Sequence, residues 1–202
     1  MRSTMKLTAI FACTALVALG EPTASPALAQ GNKQHVAMQT PVSTLGEVVP
    51  FAHAAYPVGS LVVVNKERKV YLVLPDGQAR RYPVAIGVPD EQWVGREMIT
   101  AKRVDPRWIE PDEDGEGDVI EGGDPKNPLG KRAIYLGKTL WRIHGTVAPW
   151  SIGKAASNGC IRMHNDDVID LYERFELGAE MFAVNTLADK VPTKPGRKLV
   201  DD

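Results

Sequence analysis

Once an N-terminal export signal is set aside, this chain keeps one cysteine, Cys160, so no internal disulfide can staple the fold and a hydrophobic core must carry it. The signal is read from Arg2 and Lys6, a mostly apolar run from Leu7 to Leu19, and the small-x-small site Ala27-Leu28-Ala29 before Gln30. That run of 13 residues, which includes Cys13, is too short to span a bilayer, and no later segment approaches the necessary length. No stable membrane insertion is expected. About 170 residues remain, enough for one domain with a real core. A net charge of −1 without a basic stripe excludes a nucleic-acid footprint.

The chain divides into a signal peptide over 1–29, a linker over 30–57, a catalytic-size domain over 58–186 and a flexible tail over 187–202. The linker is polar or small with scattered prolines and contains His35 and His53. Leu61 to Val64 and Lys69 to Leu74 flank a charged turn and predict a β-hairpin, followed by a turn at Pro75-Asp76-Gly77. Arg81 to Val88 predicts a third strand, in which Pro83 signals an edge or a bulge. Ile99–Val104, Arg132–Leu136, Leu140–His144 and Glu180–Asn185 read as further strands. One helix is expected over about 165–177, with Asn165 as N-cap, Val168, Leu171, Tyr172 and Phe175 at helical spacing, and Gly178 as the stop. The fold class is mainly β with one clear α-helix.

Cys160 sits in Ser157-Asn158-Gly159-Cys160-Ile161-Arg162-Met163, sixteen residues after His144. A free thiol has a pKa near ~8.5, and a neighbouring imidazole can take its proton and stabilise the thiolate as an ion pair. Gly159 leaves room for substrate, and the Gly159 and Cys160 backbone N–H groups suit an oxyanion hole. From spacing alone, a packed strand cysteine with a hydrogen-bonded strand histidine stays equally open. A metal site from His144, Cys160 and His164 lacks a paired-ligand spacing and a fourth ligand. Asp112 to Asp118 resembles half a calcium loop, but Gly123 stands where the bidentate glutamate belongs, so a flexible acidic loop is expected. No metal and no cofactor are expected.

The segments Gly122 to Gly130, Ala133 to Leu136, Ile143-His144-Gly145-Thr146, Ser151-Ile152-Gly153 and Ser157 to Met163 together resemble the L,D-transpeptidase catalytic domain of the YkuD type. The resemblance covers roughly residues 58–186 and implies a β-rich domain acting on peptidoglycan in the periplasm. It implies Cys160 as nucleophile, His144 as general base and acid, Gly145 as the backbone group orienting His144, and Gly159 in the oxyanion hole. Ser157, Asn158 and Arg162 are implied on the substrate side. Two departures stand out. Asn158 replaces a second histidine common in the family, and Val94-Gly95-Arg96-Glu97 replaces its Thr-Pro-x-Gly segment.

The implied reaction acylates Cys160 with a tetrapeptide stem, releases D-alanine and passes the acyl group to an amine. Peptidoglycan stem peptides are the expected partners. A stem, an outer-membrane protein and a free D-amino acid all stay open as acceptor. A carboxypeptidase or amidase on the same fold is the nearest alternative, and a decayed wall-binding module a more distant one.

Overall fold

The computed structural model describes residues 45–110 and 117–198; the expected signal peptide and most of the acidic loop at 112–118 lie outside the described residues. Leu61-Val62-Val63-Val64 has no polar alternation, which is the pattern of a strand covered on both faces. All four residues are buried. Leu61 and Val63 enter one apolar cluster with Tyr82, Ile134, Met163 and Leu171. Val62 and Val64 enter a second with Phe51, Tyr56, Tyr71 and Phe182.

In chain order the first strands are β1 (Glu47–Pro50), β2 (Leu61–Val64), β3 (Lys69–Leu74), β4 (Gln78–Pro83), β5 (Ile86–Gly87), β6 (Trp93–Val104), β7 (Trp108–Ile109) and β8 (Val119–Ile120). They are followed by β9 (Arg132–Leu136), β10 (Arg142–His144), β11 (Ala155–Ser157), β12 (Ile161–Arg162), the helix α1 (Asn165–Tyr172), β13 (Glu180–Val184) and β14 (Arg197–Lys198). The main sheet runs β1-β4-β3-β2-β13-β6-β9-β10-β12, with β14 also on β6. Next to β2 lies β13, parallel to it, and it splits its side chains in the same way: Met181 and Ala183 to the first cluster, Phe182 and Val184 to the second.

The β2–β3 hairpin forms as expected. Between β3 and β4 the chain reverses with Asp76 at φ 57° and Gly77 at φ 66°, the left-handed pair that matches strand twist in a tight hairpin. Four expectations need correction. The linker over 30–57 is a strand at its C-terminal end, because β1 pairs with β4. The tail over 187–202 likewise contains β14, paired with β6 through Arg197↔Val94 and Lys198↔Trp93. β4 lies between β1 and β3, and Pro83 is tolerated because it falls beyond the last β1 pair, Glu47↔Arg81, where the strand has one neighbour.

Val94 to Glu97 are the fourth case, for they continue β6, with Gly95 to Glu97 paired to β13 and Val94 to β14. Arg96 is neutralised there by an ion pair to Glu180. The helix is also shorter than the pattern predicts. It ends at Tyr172, with Lys102 donating its ammonium to the Tyr172 and Phe175 carbonyls and lying over both rings. The chain then turns so that Gly178 and Ala179 hydrogen-bond to Ile99, while Phe175 stays buried. Among the described residues no helix is long and apolar enough to cross a membrane.

Two-sided burial makes β2 sensitive to lost volume. Leu61→Ala should cost about 2–5 kcal/mol in urea unfolding, the range for truncating a fully packed leucine. Leu140→Ala, at a side chain that is 81% exposed, should cost under about 0.5 kcal/mol. Equal losses at the two positions would contradict this core.

Candidate active site

β10 and β12 run parallel, with Ile143 opposite Ile161 and His144 opposite Arg162. Ile143 and Ile161 are both buried in the first apolar cluster. Strand alternation therefore turns Arg142 and His144, together with Cys160 and Arg162, to the other face. These four side chains share one cavity of about 720 Å³, with Ser157, Asn158, Leu129, Leu140 and Thr146 also in its walls. Of the residues singled out in the sequence, His144, Ser157, Asn158, Cys160 and Arg162 thus come together. Gly145 and Gly159 adjoin His144 and Cys160 along the chain.

His144 is buried, and its Nδ1 lies 2.6 Å from the Gly145 carbonyl oxygen. A carbonyl only accepts, so Nδ1 carries the proton and Nε2 keeps its lone pair for the cavity. Burial lowers the imidazole pKa to about 4; the Gly145 carbonyl opposes that shift, and the Arg162 and Arg142 charges add to it. Cys160 is half-buried and its thiol donates to the Leu140 carbonyl at 3.7 Å. Burial also raises the thiol pKa, although the Arg142 backbone N–H and guanidinium, and the Arg162 charge, pull the other way. An imidazole shifted down and a thiol shifted up leave both groups neutral at pH 7. Desolvation of both groups works against the ion pair expected from the sequence.

The turn before Cys160 is held from outside the cavity. Gly159 has φ 96°, and a Cβ there would stand 3.0 Å from Trp141 Nε1 and 3.1 Å from the Glu91 carbonyl oxygen, so glycine is required. Its carbonyl accepts the Trp93 indole N–H at 3.0 Å. Trp93 and Trp141 stack with ring centroids 4.2 Å apart and 1° between planes. Gly196 lies against this pair, for a Cβ on it would come within 2.7 Å of Trp141 and 2.8 Å of Trp93. In a trans peptide, C=O and N–H point oppositely, so fixing the Gly159 carbonyl on Trp93 also fixes the Cys160 N–H away from it. Ser157 Oγ donates to the Cys160 carbonyl at 2.5 Å.

Asn165 has a different task from the expected one. The N-cap position is His164, and the Asn165 side chain instead accepts from the Lys131 and Thr146 N–H groups at 3.1 and 3.2 Å and donates to the Thr146 carbonyl at 3.1 Å. It thereby ties the start of α1 to the segment after His144. Sequence reasoning missed Arg142, Trp93, Trp141 and Gly196. Period-two alternation from His144 was a signal for Arg142; the other three meet only in three dimensions. Among the described residues, no three His, Cys, Asp or Glu side chains gather where a metal ion could be held.

Residues 59–191 match the family model of YkuD, the L,D-transpeptidase catalytic domain. The putative L,D-transpeptidase YqjB of Bacillus subtilis is 33% identical over 144 residues, covering 68% of this chain and 78% of that protein. The probable L,D-transpeptidase ErfK/SrfK of Escherichia coli is 32% identical over 135 residues, covering 59% of this chain and 42% of that protein, so the match spans less than half of that relative. A crystal structure of an L,D-transpeptidase from Mycobacterium tuberculosis superposes with a TM-score of 0.51 at 16% identity, over 63% of this chain and 58% of that one, a likeness of fold alone.

Desolvation of the thiol has a kinetic signature. Iodoacetamide reacts with thiolate, so a raised thiol pKa should give an alkylation rate that climbs about tenfold per pH unit from pH 6 to 9. A thiolate–imidazolium pair would instead give a plateau between the two pKa values. Such a plateau across neutral pH, measured by intact mass, would contradict the raised thiol.

Proposed function

The chain belongs to the YkuD type of L,D-transpeptidase catalytic domain, and from that premise we propose a cysteine-dependent acyl transfer on peptidoglycan tetrapeptide stems. The observation that carries this reading is the shared cavity wall of Cys160 and His144, with the imidazole oriented so that Nε2 is free to take a proton.

Cys160 Sγ attacks the amide carbonyl between the diamino acid at the third position and the terminal D-alanine. His144 Nε2 accepts the thiol proton as the S–C bond forms, then gives it to the departing nitrogen as the C–N bond breaks. D-alanine leaves and a thioester remains. The Gly159 and Cys160 backbone N–H groups receive the oxyanion, in a turn that the Trp93 hydrogen bond holds. An amine of a second stem then attacks the thioester, with His144 taking its proton and returning it to the sulfur. Ser157 acts through the Cys160 carbonyl, and Gly145 through its own carbonyl on Nδ1. Asn158, exposed at the cavity wall, contacts the stem by hydrogen bonding. The export signal read over 1–29 supports a reaction in the periplasm, where an outer-membrane protein amine is an alternative acceptor to a stem.

Incubation with tetrapeptide-rich peptidoglycan, followed by digestion and mass spectrometry, should reveal free D-alanine and stems joined through their third residues. Cys160→Ala should yield neither product. His144→Ala should slow both by a factor on the order of 10²–10⁴, as for loss of a positioned acid–base group. D-alanine release without joined stems, in the presence of acceptor, would make the enzyme a carboxypeptidase. Full turnover by Cys160→Ala would end the reading.

A further inference from the structure

Arg142 has no part in the chemistry above, yet it occupies the corner beside the nucleophile. In the β10–β12 register, the step before Ile143↔Ile161 sets Arg142 next to Cys160, as the step after sets His144 next to Arg162. The Arg142 backbone and guanidinium both act on the Cys160 sulfur, opposing the rise in its pKa, and the two residues line the same cavity. On its other side the guanidinium lies 5.6 Å from the centre of the Tyr135 ring, the cross-strand neighbour on β9. Arg162 faces the same cavity from β12.

Two half-buried cations therefore stand at one end of a partly apolar cavity. Among the described residues neither is ion-paired with a carboxylate, and that includes Glu110, which lines the same cavity. Guanidiniums held without an acidic partner present a fork of N–H donors shaped for a carboxylate. Solvation by the protein does not account for their place, since leucine, valine and isoleucine form much of the remaining wall.

We propose that Arg142, seconded by Arg162, is a carboxylate-binding subsite that selects donors with a free α-carboxylate on the leaving side of the scissile amide. This rests on the acyl-transfer reading for the identity of the donor. The reach is right: in a terminal D-amino acid the carboxylate is attached to the carbon that bears the departing nitrogen, so a group beside the sulfur meets it as attack occurs. The subsite makes the enzyme act at chain ends. A stem extended by a further residue, or blocked as an amide, lacks the charge at that position and forfeits the contact. The leaving amino acid departs with its carboxylate still facing Arg142, while the thioester stays on Cys160.

Two measurements on the intact protein test this, and they fail separately. The first uses iodoacetate and iodoacetamide, alkylating agents that differ in charge. Both consume the thiolate, form an S–C bond and expel iodide, so their rate ratio cancels any change in thiol ionisation. Wild type should favour iodoacetate, and Arg142→Gln should lower the iodoacetate-to-iodoacetamide ratio roughly tenfold. Arg142→Lys, which keeps the charge but not the fork, should largely restore it.

The second compares a soluble tetrapeptide stem ending in D-alanine with the same stem ending in D-alaninamide. Wild type should show a much lower KM for the acid. Arg142→Gln should raise that KM roughly tenfold or more and leave the KM for the amide in place. An unchanged alkylation ratio, or equal KM values for acid and amide in wild type, overturns the subsite. A ratio that falls in Arg142→Gln while neither stem acylates Cys160 upholds an anion site and overturns the acyl-transfer reading instead.

Discussion

The site hangs on a short stretch of parallel pairing, Ile143 with Ile161 and His144 with Arg162. Two buried isoleucines fix which way the strands face, because a one-residue slip would drive Arg142 and His144 into the apolar cluster and expose Ile143. Burial of those two side chains therefore sets the register, and the register sets what meets on the opposite face. Strands this short contribute little hydrogen bonding of their own. They are held instead by β9 on one side of β10, by the Ala85 bridge to Arg162, and by the Asn165 side chain that ties α1 to Thr146. Chemistry at this face is a by-product of how well its reverse is packed.

Electrostatics at the face is a contest between desolvation and two guanidiniums. Desolvation disfavours any charge, raising the thiol and lowering the imidazole. The arginines favour the thiolate but oppose the imidazolium, so they cannot stabilise the ion pair as a unit. The outcome is a thiol that is protonated at rest and donates to a backbone carbonyl. Oxidation follows thiolate character, so a neutral, half-buried thiol suits the oxidising surroundings to which an export signal would send it. Reactivity is then called up by the electrophile.

The hairpin of β2 and β3, the closing strand β13 and the start of the helix were legible because each is governed by local rules: apolar runs, a charged turn, periodic burial. The shared motif pointed to Cys160 and His144, with Gly145 and Gly159 beside them, and the fold brings Cys160 and His144 to one cavity. What escaped notice was long-range. β1 and β14 are short and mostly exposed, with nothing to distinguish them from linker or tail until β4 and β6 supply their partners. Val94 to Glu97 fell outside the strand expected at Ile99–Val104; Gly95 and two charged residues stand there, and Glu180 across the sheet pairs with Arg96. Arg142 was in plain view two residues before His144. Its meaning needed the neighbouring strand.

The clamp on the nucleophile turn has a consequence for how the domain matures. Trp93 holds the Gly159 carbonyl, Trp141 covers Trp93, and both rings are closed over by Gly196, with Lys198 anchored on Glu91 at 2.8 Å. Those last contacts come from a segment that follows every other element of the domain. During vectorial synthesis the rest of the sheet, the helix and the thiol all arrive first, and the latch arrives afterwards. A chain cut before Gly196 would keep Cys160 and His144 and lack the cover over Trp93 and Trp141. The cover over the two indoles is thus the last part of the described domain to be laid down, behind a turn whose other supports are already in place.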